Sequence, residues 1–248
     1  MTQTMKLGNR VRPLRNVAEF NLLINRLENR PPNLPGMGVF YGPTGYGKTF
    51  AAIHAALTLD IIHVSVQDTW TRKTLLKAIC QELGVMVTPR LTIPDLQQEV
   101  NTHLSTSGRT LVIDEADYAV DRGMIQMIRD FHDGSSMPVV LIGMEDLPQK
   151  LRKWELVDGR ILDWKAAQPS DLEDAKELAK VYAPKVQIDD ALLQHIVDIN
   201  VGRTRRISVD LSFVEETAVL QGAPSMTLDA WGDAPFLRGE APLPRKGL

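Results

Sequence analysis

The run GPTGYGKT, from Gly42 to Thr49, narrows what this chain can fold into more than any other feature. It fits G-x-x-x-x-G-K-[ST], the Walker A phosphate-binding loop. Gly38-Val39-Phe40-Tyr41 before it reads as a buried strand, and Phe50 to Leu57 after it reads as a helix. That strand–loop–helix setting is what the motif requires. Glycines let backbone N–H groups approach phosphate oxygens, and the helix N-terminus adds a partial positive charge. Lys48 can reach the β- and γ-phosphates, and the Thr49 hydroxyl can ligate Mg²⁺. The predicted nucleotide-binding run is therefore Gly42, Pro43, Thr44, Gly45, Tyr46, Gly47, Lys48, Thr49 and Phe50.

The chain's 248 residues suffice for one large domain, or for a core domain plus a small one. At 44% hydrophobic and 24% charged the composition is globular. A net charge of −3 gives no global basic signal for nucleic acid, although a local patch stays open. The single cysteine, Cys80, excludes an internal disulfide framework and a cysteine-rich zinc site, and its helical surroundings read as core. No apolar run approaches the ~20 residues of a membrane span, and no signal-peptide core is seen near Met1. The expectation is a cytoplasmic protein with no membrane partner.

Residues 1–15 read as an extended basic arm carrying Lys6, Arg10, Arg12 and Arg15. Val17, Phe20, Leu23, Ile24 and Leu27 have helical spacing, and prolines break the chain after Arg30. Past the phosphate loop, strands at Ile61 to Val66, Leu111 to Ile113, Pro138 to Gly143 and Arg160 to Trp164 alternate with helices near 71–83 and 94–104. Such alternation predicts an α/β fold with a parallel sheet over residues 16–167. Three helices follow over 168–221, and no strand signal interrupts them. The first opens on Ser170-Asp171-Leu172-Glu173, a capping box, and Asp189 can cap the second. Residues 222–248 read as a mostly irregular tail, with one helical turn near Leu228 to Trp231. Its apolar Trp231, Phe236 and Leu237 fit docking on the chain's own core, a neighbouring subunit or a partner.

Leu111-Val112-Ile113-Asp114-Glu115 is an apolar strand ending in two acids, the Walker B pattern. Asp114 would hold Mg²⁺, directly or through water, and Glu115 would orient and deprotonate the attacking water. Carboxylates at the end of a buried strand need a cation or donors to offset desolvation, which Mg·ATP provides. Asp117 fits either the same site or a helix cap. The strand Ile61 to Val66 lies between the two motifs in sequence, and a glutamate follows the Walker B Asp. Together these point to the additional-strand, catalytic-glutamate branch of P-loop NTPases and away from GTPases.

With its α/β core, Asp114-Glu115 and a helical lid, the chain resembles an AAA+ ATPase. The resemblance implies an arginine finger before the fifth strand, where Arg160 stands, with Arg152 as a second candidate and a surface ion pair as the plain alternative. It implies a second sensor in Gly202-Arg203-Thr204-Arg205-Arg206-Ile207, with Arg205 preferred over Arg206. It also implies a polar first sensor after the fourth strand. Met144 cannot serve there, and Glu145 would repel phosphate. Within AAA+ proteins, VIDEADYA from Val112, Ile128-Arg129-Asp130-Phe131-His132-Asp133 and Pro138 to Glu145 look like the transposition ATPases of the Mu B and TnsC type. Mu B carries an N-terminal helix-turn-helix domain for which residues before this core leave no room.

That resemblance implies ATP-dependent, sequence-nonspecific binding to duplex DNA, assembly into a helical homo-oligomer and stimulation of a transposase. The best DNA-facing segment is Asp68 to Thr74, where Arg72 and Lys73 offer charge and Thr69 and Thr71 offer hydroxyls. A solvated helix start is the plain alternative. A filament would sum contacts too weak for a monomer. Two rivals stay open: a loader- or secretion-type ATPase acting on a protein or cell-wall partner without DNA, and a nucleotide-locked scaffold with negligible turnover.

Overall fold

A computed structural model describes residues 14–236, so the predicted arm residues Lys6, Arg10 and Arg12, and Leu237 in the tail, lie outside the described residues. The chain divides between Gln168 and Pro169 into two compact units.

The first unit runs α1 (Arg15–Glu28), β1 (Met37–Tyr41), α2 (Lys48–Thr58), β2 (Ile62–Ser65), α3 (Arg72–Glu82), α4 (Ile93–Ser107), β3 (Leu111–Asp114), α5 (Ala116–Asp121), α6 (Ile125–Ser135), β4 (Val139–Gly143), α7 (Leu147–Leu151), α8 (Glu155–Asp158) and β5 (Ile161–Ala166). Its five strands pair in parallel in the order β2-β3-β4-β1-β5. Successive side chains along a strand point to opposite faces. Val39, Ile113 and Leu141 accordingly join a core with Leu75, Leu76, Leu96 and Phe131 of α3, α4 and α6. Phe40, Val112, Val140 and Ile142 join a second core with Phe20, Leu23 and Leu27 of α1 and the small Ala51, Ala52 and Ala55 of α2. Both faces being covered, the strands are near-continuous apolar runs.

The strand between the two motifs in sequence is not the one between them in space. β2 lies at the sheet edge against β3, whereas β4 sits between β1 and β3. The additional strand expected from the sequence is thus β4, and sequence order does not say which strand takes that place. Local signals do set the ends of several helices. Thr71 caps α3 by accepting from Thr74 N, and Thr92 with Asp95 makes a capping box on α4. Cys80 is buried in the core, which pushes its thiol pKa up.

The second unit holds α9 (Leu172–Tyr182), β6 (Gln187–Ile188), α10 (Asp190–Ile199), α11 (Thr204–Gln221), β7 (Ser225–Met226) and α12 (Leu228–Trp231). Its two strands correct the strand-free expectation. Each is two residues long and they pair in parallel, Gln187 with Ser225 and Ile188 with Met226, too short to leave a period-2 signature. The cap of α9 also stands one residue later than the expected Ser170-Glu173 box. Asp171 accepts from Asp174 N at 2.9 Å, while Ser170 Oγ is taken by Thr204 Oγ1 at 2.8 Å. Asp189 caps α10, accepting from Leu192 N. Past Gly222, Trp231 stacks on Phe236 with ring centroids 4.9 Å apart and meets Phe213 of α11 edge-on at 5.8 Å. This stretch of the tail docks on its own helical unit.

Candidate functional site

The phosphate loop leaves β1 at Gly42 and enters α2 at Lys48. Gly47 caps the helix in the left-handed region, φ 79°. Gly42 has φ 154°, an angle that favours glycine, and a Cβ there would press on that of Ala167 at 3.1 Å. Lys48 is buried, 9% exposed, and its Nζ donates to the carbonyls of Gly42 at 2.6 Å and Pro43 at 2.9 Å. The lysine is thus folded across its own loop. Burial lowers its pKa, and the charges of Glu115, Asp114, Asp117 and Glu145 act to raise it. The ammonium therefore sits within the field of both Walker B acids, although they lie far along the sequence.

Asn16 holds the loop from behind. It is buried at the start of α1, donates to Tyr46 O and Gln168 O at 2.7 Å each, and accepts from Gln168 N at 2.8 Å. Sequence reasoning missed it. The only signal was a polar residue beside Val17 on the face that carries Phe20 and Leu23.

β3 delivers Asp114 at its buried end, 2% exposed. Asp114 Oδ1 accepts from Glu115 N at 2.8 Å. Its Oδ2 is buried without a hydrogen bond, with His63 Nε2 of β2 standing 3.6 Å away. Glu115 adopts φ 54°, ψ 41° as the cap residue of α5. This left-handed conformation costs a non-glycine residue on the order of 1–3 kcal/mol, and such residues cluster at functional sites.

An orphaned buried carboxylate oxygen close to a lysine-lined phosphate loop is suited to a divalent cation. Thr49, in the first turn of α2, and Asp114 are the residues that would hold Mg²⁺. Among the described residues no group of three or more His, Cys, Asp or Glu is set to hold a metal by itself. The remaining ligands would be phosphate oxygens and water, the usual case for Mg²⁺.

Asp117, in the first turn of α5, is buried and accepts from Met144 N at 2.7 Å through Oδ2. Lys150 Nζ of α7 pairs with Asp117 Oδ1 at 3.2 Å and with Asp121 at 3.1 Å. Met144 is 36% exposed at the end of β4.

Arg160 stands at the opposite end of the sheet from the phosphate loop. Its carbonyl accepts from Met37 N, where β1 begins. Its guanidinium makes a two-pronged contact with Asp133 of α6, Nε–Oδ1 2.8 Å and Nη2–Oδ2 3.4 Å, which raises its pKa. The partner is neither of the sequence neighbours Asp158 and Asp163. Arg152 is exposed at the end of α7. Arg205 and Arg206 are exposed in the first turn of α11, a turn that itself holds no acid.

Of the DNA-facing candidates, Thr69, Thr71 and Arg72 are exposed, and Lys73 is half-buried. Thr71's hydroxyl is used in the α3 cap, and Arg72 donates to Gly123 O at 3.0 Å. Asp68 pairs with Arg122 at 2.9 Å, and Trp70 packs against the core. No helix among the described residues is long and apolar enough to cross a membrane.

A phosphate loop between β1 and α2, adjacent acids closing β3, and a strand inserted between them make an α/β fold that matches a P-loop AAA+ core. Residues 33–151 match the AAA domain family. No curated protein matches the sequence. Among solved structures, Cdc6p from Pyrobaculum aerophilum superposes with a TM-score of 0.66 at 17% identity, covering 90% of this chain and 66% of that one. The Aeropyrum pernix ORC2 protein in its ADPNP–ADP complexes gives 0.63 at 19%, covering 90% and 68%. The ORC1 protein of the same organism, solved in complex with DNA, gives 0.60 at 17%, covering 87% and 63%. The chain thus spans about two thirds of the length of these proteins, and the likeness is one of fold.

Proposed function

We propose that this chain is a Mg²⁺-dependent ATPase that binds duplex DNA without sequence preference, assembles on it and delivers it to a transposase. The observation that carries the nucleotide part is the gathering of Lys48, Asp114, Glu115 and Asp117 about one phosphate loop, with Asp114 Oδ2 lacking a hydrogen bond. Incoming phosphate oxygens would take Lys48 Nζ from the two loop carbonyls that now hold it. When bound, Mg²⁺ neutralises charge on the β- and γ-phosphates. Glu115 accepts the proton of the attacking water. Arg160 is exposed and remote from its own loop, which supports its serving a neighbouring copy's site in trans. Arg205 would then report nucleotide state from the helical unit.

For DNA, the support is the mostly exposed segment 68–71 and the first turn of α3 with exposed Arg72 and half-buried Lys73, together with the DNA complex of the ORC1 structure. A second reading, a loader acting on a protein partner, is favoured by one observation: Thr71, Arg72 and Asp68 already have intramolecular partners. Sedimentation and negative-stain imaging with duplex DNA and ATP, ADP or no nucleotide separates the two. DNA-bound assemblies that require ATP support the first reading. Their absence under all three conditions, with ATP hydrolysis unaffected by DNA, leaves the loader.

A further inference from the structure

The position at which a polar side chain would be sought beside the γ-phosphate holds Met144, whose thioether is a poor partner for either phosphate or water. The turn that carries it is nevertheless firmly held. Asp117 Oδ2 accepts from Met144 N at 2.7 Å, tying the corner after β4 to the first turn of α5, two residues beyond Glu115. Lys150 closes the arrangement from α7, pairing with Asp117, Asp121 and, at 3.8 Å, Asp146. The chain makes room for the contact by having glycine at 143. A Cβ there would lie 2.4 Å from Asp117 Oδ2 and 2.6 Å from Leu147 Cδ2. Asp117 is 7% exposed, so its charge acts at short range and unscreened.

We infer that Asp117 is a positioning residue for hydrolysis, clamping the β3–α5 and β4–α7 corners into one rigid edge so that Glu115 is held at a set height over the phosphate loop. The inference rests on the ATPase reading above. Glu115 occupies a left-handed conformation that persists only if its surroundings hold it. Within α5 its following turn is anchored through Asp117, while Lys150 anchors both Asp117 and Asp121. A backbone clamp thus supplies order at a corner where the side chain of Met144 cannot. Asp117 acts through Glu115 and contributes little to nucleotide affinity, which comes from the loop.

The test uses the full chain and compares Asp117→Ala, Asp117→Asn and Gly143→Ala with wild type. Measurements are kcat and KM for ATP, equilibrium binding of a fluorescent ATP analogue, and thermal melting. A displacement on the order of 1 Å at a reacting group costs roughly a hundredfold in rate. Asp117→Ala is therefore expected to lower kcat about ten- to a hundredfold, with analogue affinity within about threefold. Gly143→Ala removes no charge but drives a methyl into the clamp, and is expected to give the same kcat-only loss. Asp117→Asn keeps an amide oxygen able to accept from Met144 N, and is expected to restore most of kcat. If Asp117→Ala and Gly143→Ala both keep wild-type kcat, the assignment is overturned. It is equally overturned if kcat and affinity fall together with the melting temperature, the mark of a merely structural group. A wild-type chain that hydrolyses no ATP under any assembly condition sinks the ATPase reading and takes this one with it. An active wild type with indifferent variants sinks this one alone.

Discussion

Asp114 and Glu115 are consecutive, yet their backbones and surroundings differ sharply. Asp114 ends a strand with one oxygen bonded and the other bare, whereas Glu115 turns through a left-handed conformation. Their substitutions are expected to separate accordingly. Glu115→Gln keeps the shape and removes the base, so hydrolysis should fall by about 10²–10⁴-fold while ATP binding persists. ATP-dependent assemblies should then live longer, as followed by sedimentation. A nucleotide-locked scaffold predicts no change. Lys48→Ala removes a charge-assisted phosphate contact worth about 1.5–3 kcal/mol, so nucleotide affinity in a titration should drop roughly ten- to a hundredfold. His132 gives a pH prediction. Its Nδ1 meets Met137 O at 2.8 Å and so carries the proton, and burial pushes its pKa below the ordinary 6.5. The buried neutral ring contributes stability that is present above pH 6.5 and is lost as pH falls below it, because the unfolded chain binds the proton first. Melting temperature should decline less steeply below that pH in His132→Gln than in wild type.

At the scale of elements, the site is where three parallel strands end: β1 opens into the phosphate loop, β3 ends in Asp114, and β4 leads into the turn at Met144. The phosphate loop was legible in sequence because its glycine spacing is itself the geometry. The Walker B acids were legible because an apolar strand that ends in adjacent carboxylates has few other uses. An additional strand was expected too, but that β4 is the one inserted was not, since strand order depends on which helices cover which face. Asn16 and Asp117 were not assigned their contacts either, because each partner is a backbone group distant in sequence: Tyr46 and Gln168 for one, Met144 for the other. The segment after α11 illustrates the same limit. Its helical turn was expected, but its pairing of β7 with β6 and the Trp231–Phe236 stack were open. Trp231 is 5% exposed, so Trp231→Ala is expected to cost the helical unit about 3–5 kcal/mol, read as a lowered denaturant midpoint.

At the scale of the molecule, the proposed association turns on Arg160. Arg160 is at the far end of the sheet from its own loop and pairs with Asp133 of α6, which Arg129 also meets at 3.5 Å. If it completes a neighbouring site, Arg160→Ala and Lys48→Ala chains will each be nearly inactive alone. Their mixture should regain activity, because one interface then carries both intact groups. An arginine finger contributes about 10³–10⁵ in rate, so the regained fraction should stand well above background in a steady-state assay. If the start of α3 meets phosphates, Arg72→Ala should reduce the slope of log K against log salt by about 0.9 per lost contact in a DNA titration.

The sequence alone determined that a nucleotide loop stands between a strand and a helix, that two acids close a later strand, and that helices follow an α/β core. These are local facts, carried by glycine spacing, residue periodicity and capping within a few positions. Only the tertiary structure decided that β4 separates the two motif strands, that Lys48 lies in the field of both acids, that Arg160 meets Asp133, and that Asp117 holds the backbone of a methionine. Each of these joins residues far apart in the chain, and distance in space is set by how the two faces of the sheet are packed rather than by any neighbouring residue.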